Sequence, residues 1–340
     1  MNSNIAKINA GEMVTSAKFK EHVRLEEFIA ENRGELLEQK VLGEVESPRG
    51  RFPIYGLRIG KRDNAENKPC LGLFAGMHGL ENIGTHLLLY YFESLFERLK
   101  WDETLNLLLE KANIVSIPII NPVGMAMRTR SNGRGVDLNR NSPVEAKGQV
   151  PFLAGGHRWG PWLPWYQGTK GKLEKESKIL VDFVKDEAFK CPFLFSLDIH
   201  SGFGVRDFLW YPYAKSKERF TWDLECGLFR KLLKKAHPNH IYKVESQSHS
   251  YTTHGDLWDH IFQKHSRFQK GAEEKRIFIP WTLEMGSWSW IRKNPTNLFT
   301  AHGFFNPTKE HRYRRTMRRH QSLLEFFLKS VVFWQKWLKK

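Results

Sequence analysis

The chain has 340 residues, with 53 Lys and Arg against 37 Asp and Glu and a formal net charge of +16. At 41% hydrophobic and 26% charged residues it is long enough and apolar enough to bury a core, which excludes disorder as its main state. No apolar run approaches the ~20 residues of a membrane span, the first twenty residues hold no signal-peptide apolar segment, and Cys70, Cys191 and Cys226 are too few and too scattered for a disulfide framework. The expected location is the cytoplasm.

Residues 16–40 show helical spacing, with Phe19, Val23, Leu25, Phe28 and Ile29 among charges. Strand-like runs follow at 41–45, 53–59 and 70–75, the last ending in Gly76-Met77-His78-Gly79. A helix is expected over Asn82 to Leu99 and a buried strand over Asn113 to Ile120. Residues 121–170 read as irregular, and a long irregular stretch in a compact domain is often functional. Further helices are expected over 173–189, 220–236, 256–264 and the last thirty residues. Further strands are expected over 193–199, 208–213, 241–244 and 277–283. This alternation predicts an α/β fold: a mixed, largely parallel central sheet with helices on both faces.

Ligands of such sheets sit beyond the carboxyl ends of the strands. Three chemistry-bearing residues fall there: His78, His200 and Glu284. His78 and Glu81 form an H-x-x-E pair at a strand-to-helix junction, spaced so that both can face one point. His200 lies 119 residues after Glu81, within Leu197-Asp198-Ile199-His200-Ser201-Gly202. Two His and one Glu with a fourth position open is a catalytic zinc arrangement. By itself, H-x-x-E is a weak signal.

The segments between and after these residues carry a resemblance. Asn121-Pro122-Val123-Gly124, Arg130-Ser131-Asn132 and Gly135-Val136-Asp137-Leu138-Asn139-Arg140-Asn141 resemble the central signature of the zinc carboxypeptidases of the carboxypeptidase A type. Tyr251, Gly255 and Asp259 resemble that family's mobile-tyrosine segment, and Thr282-Leu283-Glu284-Met285-Gly286 resembles its catalytic strand. The motifs keep the family's order over about residues 50–290.

The resemblance implies one zinc ion held by His78, Glu81 and His200, with Glu284 as general base. It implies that Arg130 holds the oxyanion, with Arg128 as the alternative two residues earlier. Asn139 and Arg140 would clamp the substrate's terminal carboxylate, which Arg grips through a bidentate fork. Tyr251 would close over the substrate, and Asp137 would fix the tautomer of His78. Asp198 would act similarly on His200 or simply end its strand. The position seven after Tyr251, a pocket position in the family, is Trp258, which reads equally as a core residue. Arg206 would favour an acidic substrate if it faced the site, and a surface role beside Asp207 is the default. The implied activity is a metallocarboxypeptidase acting on a peptide with a free C-terminal carboxylate. The alternative is an N-acyl-amino-acid deacylase of the succinylglutamate desuccinylase and aspartoacylase type, whose H-x-x-E, D-x-N-R and D-x-H elements are also similar.

From Lys309 to Lys340 there are ten basic and two acidic residues, so this segment carries half of the net charge. Its apolar residues form one stripe, the mark of a helix packed on the sheet. Contact with a membrane surface is the secondary reading, and no nucleic-acid fold signature accompanies it. The chain thus divides into a helical lead-in over 1–45, a catalytic domain over 46–307 and a basic amphipathic helix over 308–340 packed on that domain. The Trp-rich loop from Trp159 to Trp165 and the Trp288–Trp290 run would either rim the cleft or pack on the sheet.

Overall fold

The computed structural model describes residues 19–48, 50–272, 274–286 and 301–339. The Trp288–Trp290 run lies outside the described residues. Eight strands form one sheet: β1 (Leu37–Ser47), β2 (Gly50–Ile59), β3 (Cys70–Ala75), β4 (Asn113–Ile117), β5 (Phe193–Ser201), β6 (Phe208–Tyr211), β7 (Lys243–Ser246) and β8 (Ile277–Met285). Their spatial order is β1-β2-β4-β3-β5-β8-β6-β7. The four central strands β4, β3, β5 and β8 run parallel. Antiparallel pairs join β1 to β2, β2 to β4 and β6 to β8.

The helices are α1 (Lys20–Glu31), α2 (Asn82–Leu99), α3 (Glu103–Lys111), α4 (Pro122–Met127), α5 (Lys175–Ala188), α6 (Asp223–Ala236) and α7 (Leu257–Phe268), followed by the long helix Glu310–Val332. They cover both faces of the sheet. On β5, Phe193 and Phe195 face one side, where they meet Phe229, Phe327, Trp334 and Trp337. The alternation of a strand sends Asp198 and His200 to the opposite side, where α7 packs against β8. The helix Glu310–Val332 buries Leu324, Phe327, Leu328 and Val331 beneath its basic outer surface. No helix among the described residues is long and apolar enough to cross a membrane.

Two sequence expectations change. The helix expected over 16–40 ends at Glu31, where the Asn32 side-chain amide donates to the Phe28 carbonyl at 2.8 Å. Leu37–Ser47 is then a full strand of the sheet, so a boundary at residue 45 falls inside β1. The charges that suggested a helix are those of an edge strand; Lys40, for example, donates to Glu187 at 2.8 Å. The stretch 121–170 also contains α4, started by Pro122 and capped by Asn121, whose Oδ1 accepts from Gly124 N–H at 2.8 Å.

Phe195 is fully buried between Phe193 and Phe229, with ring centroids 4.6 and 5.1 Å away. Phe195→Ala is expected to cost ~3–5 kcal/mol of stability, read as a lower urea midpoint with an unchanged slope.

Candidate active site

His78 and Glu81 lie in the loop from β3 to α2, and His200 lies near the end of β5. His200 and Glu284 are register partners across β5 and β8. The loop can fold this tightly because Gly79 has no side chain: a Cβ there would sit 2.0 Å from the Gly124 carbonyl carbon. The Asn121 side chain completes the contact by donating to the Met77 carbonyl at 3.2 Å. The H-x-x-E and N-P-x-G motifs, 44 positions apart from Met77 to Asn121, therefore build one structure.

The three expected ligands converge. His78 Nδ1 is 2.8 Å from Glu81 Oε1, and His200 Nδ1 is 3.0 Å from Glu81 Oε2 and 3.2 Å from His78 Nδ1. All three residues are buried. Behind them, His78 Nε2 donates to Asp137 Oδ1 at 3.0 Å and His200 Nε2 donates to Asp198 Oδ2 at 2.7 Å. A carboxylate on each Nε2–H leaves each Nδ1 as a lone pair, and both lone pairs point at Glu81 and at each other. Such a set of acceptors fits a cation, and imidazole with carboxylate at this count suits zinc.

Asp137 does more than orient His78. Its Oδ1 also accepts from Asn139 N–H at 3.0 Å, and its Oδ2 accepts from Arg130 Nε at 2.9 Å. Burial opposes the Asp137 charge, but Arg130 and His78 outweigh it and hold this carboxyl well below the usual range. Arg130 also donates to Glu81 Oε1 at 3.2 Å. Arg128 instead ends α4 in a left-handed conformation and is exposed, so Arg130 is the arginine at the site.

Glu81 follows the same logic: burial pushes its pKa up, but His78 and His200 draw it far down. Burial pushes His200 down, yet Asp198 and Glu81 raise it well above the ordinary imidazole value. Glu284 is pushed up to about 8, first by burial and then by the charge of Glu81, and its Oε1 accepts from Phe203 N–H at 2.9 Å.

One cavity of about 510 Å³ is lined by these residues and by Asn139, Arg140 and Tyr251. Arg140 is seated by backbone carbonyls: its Nε and one terminal nitrogen donate to Ala154 O at 3.2 and 3.1 Å, and the other donates to Asn139 O at 3.1 Å. Asn139 Oδ1 is buried and has no hydrogen-bond partner among the described residues. Tyr251 packs on Phe203 and Trp210, with centroids 5.2 and 5.8 Å away, and burial raises its phenol.

Trp165 of the Trp-rich loop lines the cavity, whereas Trp159 and Trp162 face solvent. Arg206 is exposed and outside the cavity, because its backbone is held against Gly286. Its neighbour Asp207 accepts from Gly286 N–H at 2.9 Å. Trp258 is buried and also outside the cavity lining. The cavity includes Phe203, Trp210 and Gln247, which the motifs did not single out, and Thr282, which lies in the catalytic-strand motif but was given no role. Thr282 had a sequence signal, since strand alternation puts it on the same face as Glu284.

Calorimetric titration with zinc is expected to give one site per chain. Because imidazole and carboxylate ligands must be deprotonated to bind a metal, affinity should strengthen as pH rises, with proton release. Asp137→Asn should weaken zinc about 10–100-fold; equal affinity in this variant would contradict the orienting role.

The zinc carboxypeptidase family profile matches residues 27–312. Among curated proteins, the chain is 23% identical over 263 residues to carboxypeptidase SOL1 of Arabidopsis thaliana, covering 74% of this chain and 49% of that protein. It is 28% identical over 201 residues to mouse carboxypeptidase A4, covering 55% of this chain and 44% of that protein. It thus spans about half the length of these relatives. Among solved structures, bovine thrombin-activatable fibrinolysis inhibitor superposes with a TM-score of 0.66 at 20% identity, over 93% of this chain and 98% of that one. A Burkholderia cenocepacia metallo-carboxypeptidase superposes at 0.51 and 17% identity, over 78% of this chain and 58% of that one, which adds to the evidence for a shared fold. With the family profile matching most of the sequence and the ligand set assembled, the chain belongs to the zinc carboxypeptidase family.

Proposed function

We propose that this protein is a zinc-dependent metallocarboxypeptidase that removes the last residue of a peptide bearing a free C-terminal carboxylate. The observation that carries the reading is that one cavity holds the convergent ligand set, a carboxyl raised to about 8 and the Asn139–Arg140 pair.

Zinc, when bound, polarises the scissile carbonyl and lowers the pKa of a water molecule. The chain's own residues do the rest. The Glu284 carboxylate accepts the proton of the attacking water and later delivers it to the leaving amine. Its raised pKa suits both roles, since a group poised near neutrality can take a proton and return it. Arg130, fixed by Asp137 and Glu81, presents its charge where the oxyanion develops. Arg140 offers its remaining N–H groups to the terminal carboxylate, with Asn139 and Tyr251 beside it. Among the described residues, Glu81 and Glu284 are the only acids lining the cavity, and Trp210, Phe203, Thr282 and Gln247 offer none to a basic side chain, so neutral C-terminal residues are the expected substrates. The free, buried cysteines accord with a reducing compartment, and the cytoplasm is the proposed location. Nucleic acid is not a proposed partner, and the C-terminal helix is assigned to packing rather than to membrane contact.

Glu284→Gln is expected to lower kcat about 10²–10⁴-fold with zinc still bound, measured on free-ended peptides. In the wild type, the base must be ionised, so kcat/KM should fall as pH drops through the Glu284 pKa. A bound cation moves that pKa below the metal-free value near 8. Arg140→Lys should reduce kcat/KM about 10–100-fold, mainly through KM, from loss of a charged bidentate contact worth ~1.5–3 kcal/mol. Equal turnover of amidated and free-ended peptides, or turnover of acylated amino acids alone, would overturn the carboxypeptidase reading.

A further inference from the structure

We propose that Trp258 is a positioning residue of the metal centre, acting on His200 through Asp198. This inference rests on the zinc reading of the site. The Trp258 indole Nε1–H donates to Asp198 Oδ2 at 2.8 Å, and the same oxygen accepts His200 Nε2–H at 2.7 Å. The three residues are 4%, 0% and 3% exposed. Among the described residues Asp198 Oδ1 has no partner, so the orientation of this buried carboxylate depends on Oδ2. His200 in turn depends on that oxygen for the direction in which Nδ1 points.

The indole is itself fixed. It packs on Phe74 at 5.1 Å, and Phe74 stands opposite Asp198 in the register of β3 and β5. Its helix, α7, begins in a turn tied to the carboxylate-binding loop. Gly255 N–H donates to Val144 O at 2.6 Å, and Ser142 Oγ donates to Asp256 O at 2.9 Å. A Cβ on Gly255, whose φ is +70°, would lie 1.7 Å from the Arg140 carbonyl oxygen. Asp256 then caps α7 by accepting from Asp259 N–H at 2.8 Å. One turn therefore seats Arg140 on one side and delivers Trp258 to Asp198 on the other. Without the indole N–H, the carboxylate can turn toward its unpartnered oxygen, and the His200 ring loses its fixed direction.

The test compares wild type, Trp258→Phe, Asp198→Ala and the double variant by zinc competition against a chromophoric chelator, with metal-free unfolding temperatures measured in parallel. Replacing Trp258 by benzothienylalanine, which keeps the ring shape and lacks the N–H, provides a readout that packing alone would not move. The expected result is zinc binding about 10-fold weaker in both Trp258 variants, no further loss in the double variant beyond Asp198→Ala, and an unchanged metal-free unfolding temperature for the benzothienylalanine protein. Unaltered zinc affinity in that protein, or additive losses in the double variant, would overturn the proposal and leave Trp258 as core packing. Should Trp258→Phe fail to fold, the benzothienylalanine protein decides alone. Wild type that binds no zinc would instead overturn the zinc reading itself, before any variant is compared.

Discussion

Two imidazole nitrogens held 3.2 Å apart with their lone pairs facing each other repel unless positive charge lies between them. Most of what is unusual about this molecule follows from enforcing that approach. Asp137 and Asp198 take the outer N–H groups, Glu81 is wedged against both inner nitrogens, and Ser201 N–H holds Glu81 Oε2 at 3.0 Å. Each partner is buried, so water cannot relax the arrangement. Asp198 and Glu81 draw the His200 imidazole up against its burial, while His78 and His200 draw the Glu81 carboxyl down. A bound cation would be held by His78, Glu81 and His200 and would offset the crowding of their lone pairs.

The same crowding of charge explains the neighbouring groups. Buried carboxylates stand only where a cation or N–H group meets them. Asp137 has Arg130 and His78; Asp198 has His200 and Trp258. Glu284 is less well compensated than these two: it has one backbone N–H and the charge of Glu81 nearby. That poor solvation is a cost in stability and an advantage in chemistry, because it keeps the group near the point where a proton is both taken and released. This charge is concentrated at the paired ends of β5 and β8, where His200 stands opposite Glu284.

Much of this was legible in the sequence. The H-x-x-E pair, the D-L-N-R run and the strand ending in Glu284 each place chemistry at a strand end or in a loop, and the structure brings all of them into one cavity. The alternation of strands and helices likewise described the parallel centre of the sheet. What escaped was set by long-range packing. The charges of β1 mimic a helical surface because its partners, such as Glu187, lie far away in the chain. Arg206 keeps the surface role that was its default reading, with its backbone close against Gly286. Asp198 carried a readable hint, since the two-residue spacing to His200 puts both on one strand face. Trp258 carried none, because its partner is 60 residues away.

The most direct test of the account is ¹⁵N NMR of histidine-labelled protein during zinc titration. The account predicts that the Nδ1 signals of His78 and His200 shift on zinc binding, while both Nε2 atoms stay protonated on their aspartates. Metal attachment at Nε2, or binding that leaves either histidine unchanged, would contradict it.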